Sequence, residues 1–210
     1  MTESRDTDGD RALAGKRVLF VANRSYSFWL FRREIIERLL AEGAEVCLAS
    51  NSDGYTVNFR DMPVRLIEIR SNLNTLNPFV ELQNIAALNR AIRDLRPDLI
   101  HTFTIKPNLY GPALARLAGV RGVICMVTGF GTVMIANGFR HRLLRSVVKR
   151  IYRWSFRYAD RIDVTNSDDY ALCLEQRYAR ADALKVNPGA GVDIARVEAK
   201  TPRQKVTLRT

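Results

Sequence analysis

Histidine and cysteine are scarce in this chain, and long apolar runs are missing. Its 210 residues hold 2 histidines, His101 and His141, and 3 cysteines, Cys47, Cys125 and Cys173, with no CxxC pair. Each cysteine sits alone inside an apolar run, the pattern of buried thiols in a reducing compartment rather than of a disulfide frame or a zinc site. No apolar stretch reaches the roughly 18 residues that a membrane span needs. The opening MTESRDTDGDR is too polar and acidic for a secretory signal, so a soluble, intracellular chain is expected. No GxGxxG follows the first strand, no GxxxxGK[ST] occurs and no GxSxG is found. Those absences set aside the dinucleotide, P-loop and nucleophile-elbow readings, and neither metal nor cofactor is expected. Acids are short too: 22 Asp and Glu face 33 Lys and Arg, for a net charge of +11.

Hydrophobic residues make up 47% and charged ones 26%, which is the balance of a globular domain. Strands are expected at 17–23, 45–50, 64–69, 99–104, 122–128, 161–166 and 184–187, where short apolar runs meet turn residues. Helical spacing of apolar residues falls between them at 28–42, 79–95, 111–118, 139–158 and 167–178. This alternation implies parallel βαβ units, so the predicted class is α/β: a Rossmann-like parallel sheet with helices on both faces. The expected organisation is a disordered leader over 1–15, one domain over 16–193 and a polar, basic tail over 194–210.

In such sheets ligands bind beyond the carboxyl ends of the strands, so the segments just after each strand are the ones to question. After the fourth strand, His101, Lys106, Asn108 and Tyr110 gather around one helix N-terminus, where backbone N–H groups favour an anion. A structural alternative stands beside this: Asn108 as a helix cap and His101 as a core residue. Thr128-Gly129-Phe130-Gly131 after the fifth strand offers two glycines that let backbone approach a ligand or make a tight turn. Asn166-Ser167-Asp168-Asp169 reads as a cap followed by acids that suit the helix dipole.

Charge has one address. Eight basic residues and one acid lie between Phe139 and Arg161, so that stretch holds seven of the net eleven charges. Arg142, Arg145, Lys149, Arg153 and Arg157 recur every three or four residues as one helical stripe. An anionic membrane surface suits a basic amphipathic helix with aromatics. A solvated outer face and a nucleic-acid surface are the alternatives, and no nucleic-acid motif accompanies the stripe.

Taken together, Asn23 with Phe31-Arg32, the run Pro97–Gly111, Thr128–Gly131, Asn166–Asp169 and Pro188–Asp193 resemble the N-terminal half of a family 4 glycosyltransferase of the two-domain GT-B type. The subgroup it resembles builds polyprenyl-diphosphate-linked or polysaccharide-precursor glycans. The resemblance implies a retaining transfer of a hexose or N-acetylhexosamine from a nucleotide sugar, with no cofactor. It implies a catalytic position for His101 and a substrate-binding cleft lined by Asn23, Arg32, Lys106, Asn108, Tyr110, Thr128, Gly129 and Gly131. The partners implied are a lipid-linked or glycan acceptor, the inner face of the cell membrane and a donor-domain subunit, but not nucleic acid. Two positions depart from the family: the first loop lacks a Gly-Gly, and Phe103 stands where many relatives carry histidine. The donor-side acids and the Arg–Lys pair that grips the diphosphate have no counterpart, so little transfer is expected of the chain alone. A non-enzymatic module that recruits a catalytic partner to a membrane is the competing expectation.

Overall fold

The computed structural model describes residues 12–69, 77–130 and 139–189. Its strands are β1 (Arg17–Arg24), β2 (Glu45–Asn51), β3 (Val64–Glu68), β4 (Leu99–Phe103), β5 (Gly122–Val127), β6 (Arg161–Val164) and β7 (Leu184–Val186). They form one parallel sheet in the order β3-β2-β1-β4-β5-β6-β7. The helices between them are α1 (Tyr26–Phe31), α2 (Arg33–Ala41), α3 (Pro78–Leu95), α4 (Ile105–Leu117), α5 (Phe139–Ser155) and α6 (Ser167–Glu175). The predicted Rossmann-like class is therefore the observed one. Tail residues 194–210, most of the leader and the 190–193 part of Pro188–Asp193 lie outside the described residues.

Side chains alternate across the sheet and build two cores. Leu19, Ile100, Val123, Cys125 and Ile162 pack against Leu88 and Ile92 of α3 and Tyr152 of α5. On the other face Phe20, Leu48, Phe103 and Met126 meet Phe28 of α1 and Ile36 of α2. Strand order reverses at β1, which pairs with β2 on one side and β4 on the other. In open α/β sheets such a switch point is where a ligand crevice forms, here between the carboxyl ends of β1 and β4.

Two helices differ from the expected ones. The helix expected over 28–42 breaks at Arg32 (φ −134°, ψ 1°), whose buried side chain turns onto the sheet. Helix α4 begins at Ile105, well before the expected Gly111, despite Pro107 and Pro112. Pro107 falls in the first turn, where its missing N–H would have had no intrahelical partner. Pro112 cannot donate to the Asn108 carbonyl one turn back, and the buried Ser155 hydroxyl of α5 donates to that carbonyl instead, at 3.2 Å. Gly111 lets α4 lie close on β4, since a Cβ there would stand 2.7 Å from Thr102 Cγ2. Ser155→Ala leaves a buried carbonyl without its donor, at a cost of about 1–3 kcal/mol. A thermal melt is expected to show Tm lower by several degrees, and an unchanged Tm contradicts this account of the α4–α5 contact.

Candidate functional site

The crevice at the switch point is walled by the first turn of α4. Its N-cap, Thr104, has φ 68° and ψ 168°, and its side chain makes no capping hydrogen bond. For a β-branched residue this backbone is strained, by about 1–3 kcal/mol, and such strain clusters at ligand sites. Held this way, the N–H groups of Ile105 and Lys106 close the end of β4, where an anion is favoured. Lys106 is half-buried and pairs with Glu81 of α3. Tyr110 is half-buried as well, and burial, then Glu81, raise its hydroxyl pKa, so it stays a neutral donor. Thr128 and Gly129 follow β5, and Gly129 adopts φ 120°, a conformation that favours glycine. Gly131 lies outside the described residues.

Across the crevice, the loops after β1 and β2 are tied by Asp53. Its carboxylate accepts from Tyr26 N (3.0 Å) and Tyr55 N (2.9 Å), which holds the start of α1. The Ser25 hydroxyl bonds Ser50 and Thr56, each at 3.0 Å, and Asn23 is buried just before it. Asp53 and Glu81 were missed by the sequence reading. Asp53 was visible as the acid of an Asn-Ser-Asp-Gly turn, whereas only the packing of α3 beside α4 brings Glu81 to Lys106.

Asn108, expected to line the cleft, is 1% exposed. Its Oδ1 accepts from Thr102 Oγ1 at 2.6 Å and its Nδ2 donates to the Met126 carbonyl at 2.8 Å, so it ties α4 to β4 and β5. His101 also departs from the expected place. It lies in mid-strand, in register with Phe20 and Ile124, with its ring 4.1 Å from Phe103 and 5.7 Å from Phe20. Arg32 joins it on this face, its guanidinium 4.7 Å from the Phe103 ring and Nη2 2.7 Å from the Met126 sulfur. Burial, then Arg32 and Arg161, push the His101 pKa down to about 3. A neutral, stacked imidazole results, and its Nε2 has no hydrogen-bond partner in the described structure. The structure therefore brings Lys106, Tyr110 and the α4 terminus together, and separately His101 with Arg32.

The basic stripe of α5 is also divided. Lys149 Nζ donates to Gln176 Oε1 at 2.9 Å and Arg153 Nε to the Gln176 carbonyl at 2.8 Å, which holds the end of α6. Arg145 is half-buried and Arg157 exposed, while the Arg142 side chain lies outside the described residues. At the opposite end of the central strands, a cleft of about 630 Å³ is lined by Arg93, Arg96, Asp98, Leu117 and Arg121. It faces the amino ends of the strands, away from the switch point.

Two outcomes follow from these geometries. The folded pKa of His101 lies below its unfolded value near 6.5, so the unfolded chain binds the proton first as pH falls. Stability is full above pH 6.5 and declines below it, by up to about 1.4 kcal/mol per pH unit from this residue. Urea unfolding between pH 7 and 5 is expected to show a shallower slope in His101→Phe, and an unchanged slope contradicts it. At Thr104, glycine removes the strain but adds unfolded-state freedom, so Thr104→Gly is expected to gain about 1 kcal/mol. Chemical denaturation measures this, and a loss of stability counts against strain at the α4 terminus.

Comparison with known proteins fits this architecture. Residues 17–166 match the glycosyl transferase 4-like family. The chain is 30% identical over 153 residues to the N,N'-diacetylbacillosaminyl-diphospho-undecaprenol alpha-1,3-N-acetylgalactosaminyltransferase of Campylobacter jejuni, covering 73% of this chain and 41% of that protein. It is 24% identical over 162 residues to the UDP-Gal:alpha-D-GlcNAc-diphosphoundecaprenol alpha-1,3-galactosyltransferase of Escherichia coli, covering 75% and 40%. The chain thus spans about two fifths of the length of these curated relatives. Among solved structures, sucrose-phosphate synthase from Thermosynechococcus elongatus shares the fold, with TM-score 0.58 and 15% identity over 82% of this chain and 48% of that one. With a match that runs from the start of β1 to the end of β6, the chain belongs to the glycosyl transferase 4-like family.

Proposed function

We propose that this chain is the acceptor-binding half of a retaining glycosyltransferase whose acceptor is a polyprenyl-diphosphate-linked sugar. The observation that carries the reading is the first turn of α4 at the switch point, set by the strained Thr104, whose side chain makes no capping bond, with the Lys106–Glu81 pair beside it. Donors in that position suit the diphosphate of a lipid-linked acceptor. The two curated relatives are named for diphospho-undecaprenol acceptors, which supports the same chemistry. In this reading Thr128 and Gly129 form the floor under the acceptor sugar, and Asn23 sits behind the Ser25 loop on the opposite wall.

Transfer breaks the bond between the donor's anomeric carbon and its nucleoside diphosphate, and forms a bond from that carbon to an acceptor hydroxyl oxygen. The hydroxyl proton must leave, and the departing diphosphate carries the developing charge. Stabilising that charge is the largest catalytic demand, and we assign it to a donor-binding partner domain or subunit. His101 suits this scheme as a neutral wall of the sheet rather than as a base, because a base must hold a proton-accepting nitrogen within reach of the hydroxyl.

Isothermal titration of the 210-residue chain with a short-chain polyprenyl-diphosphate-linked sugar tests the reading. Saturable binding is expected, weakened about tenfold in Lys106→Met through loss of one charge-assisted contact. A nucleotide sugar is expected to bind far more weakly. Tight nucleotide-sugar binding without acceptor binding contradicts the proposal.

A further inference from the structure

The cleft at the amino ends of the strands lies between the ends of α3 and α4 and the start of β5. Three exposed arginines stand around it: Arg93 in the last turn of α3, Arg96 at the C-cap of that helix and Arg121 just before β5. Arginines at a helix end ordinarily serve its last carbonyls, but here other groups do so. Arg17 Nη1 donates to the Leu95 carbonyl, and the backbone N–H of Arg96 to that of Ile92. At the end of α4 the carbonyls of Leu114, Ala115 and Arg116 accept from the backbone N–H groups of residues 118–120. Asp98 is the one acid among the described residues that line the cleft. Its carboxylate is already engaged, accepting from Arg17 N at 2.9 Å with Lys16 Nζ 3.9 Å away. The side chains of Arg93, Arg96 and Arg121 make no hydrogen bond or ion pair among the described residues.

The wall that carries Arg121 is fixed from behind. Arg116 donates to the carbonyls of Val120 (3.1 Å), Arg121 (3.0 Å) and Tyr158 (3.2 Å), and pairs with Asp160 at 2.7 Å. Asp160 in turn accepts from Val123 N at 2.8 Å. On the other wall Arg96 holds a left-handed backbone, φ 47° and ψ 58°, that ends α3. Three uncommitted cations thus stand on two walls of a cavity within the size range of small-ligand sites. Their mutual repulsion is relieved when an anion enters. Guanidinium forks match phosphate oxygens in pairs, and a chain of two or three phosphates carries enough charge to offset three arginines. An extended acidic peptide sets its same-face carboxylates roughly 7 Å apart, too sparse to meet all three in one such cavity. We infer that this cleft binds an oligophosphate, either free or as the phosphate chain of a nucleotide. The site stands apart from the acceptor assignment, which concerns the carboxyl ends of the strands.

Isothermal titration of the 210-residue chain with inorganic tripolyphosphate in low-salt buffer tests this. Saturable binding is expected, and it weakens as salt is raised. Arg93→Ser with Arg121→Ser is expected to weaken it about tenfold or more, through loss of two charge-assisted contacts. Arg150→Ser with Arg157→Ser removes the same charge from exposed positions on and just after α5, and is expected to leave binding unchanged. The Arg93, Arg121 variant is expected to keep its affinity for a polyprenyl-diphosphate-linked sugar, so that failure here and failure of the acceptor reading are told apart. ATP separates the two sources. Binding tighter than that of tripolyphosphate, and lost in the same variant, assigns a nucleotide, whereas equal or weaker binding assigns the bare oligophosphate. Circular dichroism confirms that each variant is folded. The inference is overturned by the absence of saturable binding, by unchanged binding in the folded Arg93, Arg121 variant, by an equal loss in the Arg150, Arg157 variant, or by tighter binding of a glutamate hexapeptide.

Discussion

The site depends on how α4 is fixed to the sheet, and that rests on Asn108. This buried amide takes a hydrogen from Thr102 of β4, gives one to the Met126 carbonyl of β5, and has its own carbonyl satisfied by Ser155 of α5. A buried polar group in an α/β core is costly unless every partner is met. Once they are met, the same low-polarity surroundings make the network stiff. Gly111 adds the close approach that brings the helix within reach of Thr102. The chain spends its rigidity here in order to aim the first turn of α4 at the switch point, with Thr104 held in a conformation it would not otherwise adopt.

A different economy governs the other face. Beyond β1 its apolar layer gives way to His101, Arg161 and the buried Asp163, with Arg32 reaching in from the α1–α2 junction. Arg161 pairs with Asp163 at 2.7 Å, and Arg32 lies against Phe103. Here charge is neutralised by pairing and aromatic contact, and His101 by staying unprotonated. The residues that read as chemically active in the sequence are thus divided between two faces of the sheet.

Much of the fold was legible because strand and helix periodicities are local properties. Val18–Ala22 and Glu45–Ser50 are largely apolar runs of strand length, and Gly43 and Pro97 mark the ends of the helices before β2 and β4. The start of α4 was not legible, because nothing local marks Ile105 as its first residue, and the bond that Pro112 leaves unmade is supplied by Ser155, more than forty residues from Asn108 in sequence. Which way His101 faces depends on register with Phe20 and Ile124, a non-local fact. The stripe on α5 was correctly spaced, but spacing tells which residues share a line and not that Lys149 and Arg153 of that line bond Gln176. Thr104 carried no signal at all, because backbone strain is set by what packs around a residue.

The central claim is that the acceptor anchors on the first turn of α4, across the crevice from the Asp53-tied loop. Amide chemical-shift mapping of the labelled chain, titrated with a short-chain polyprenyl-diphosphate-linked sugar, reads this out residue by residue. The account predicts the largest shifts at Ile105, Lys106 and Gly129. Shifts confined to the arginine-lined cleft at the amino ends of the strands, around Arg93, Arg96 and Arg121, would contradict it.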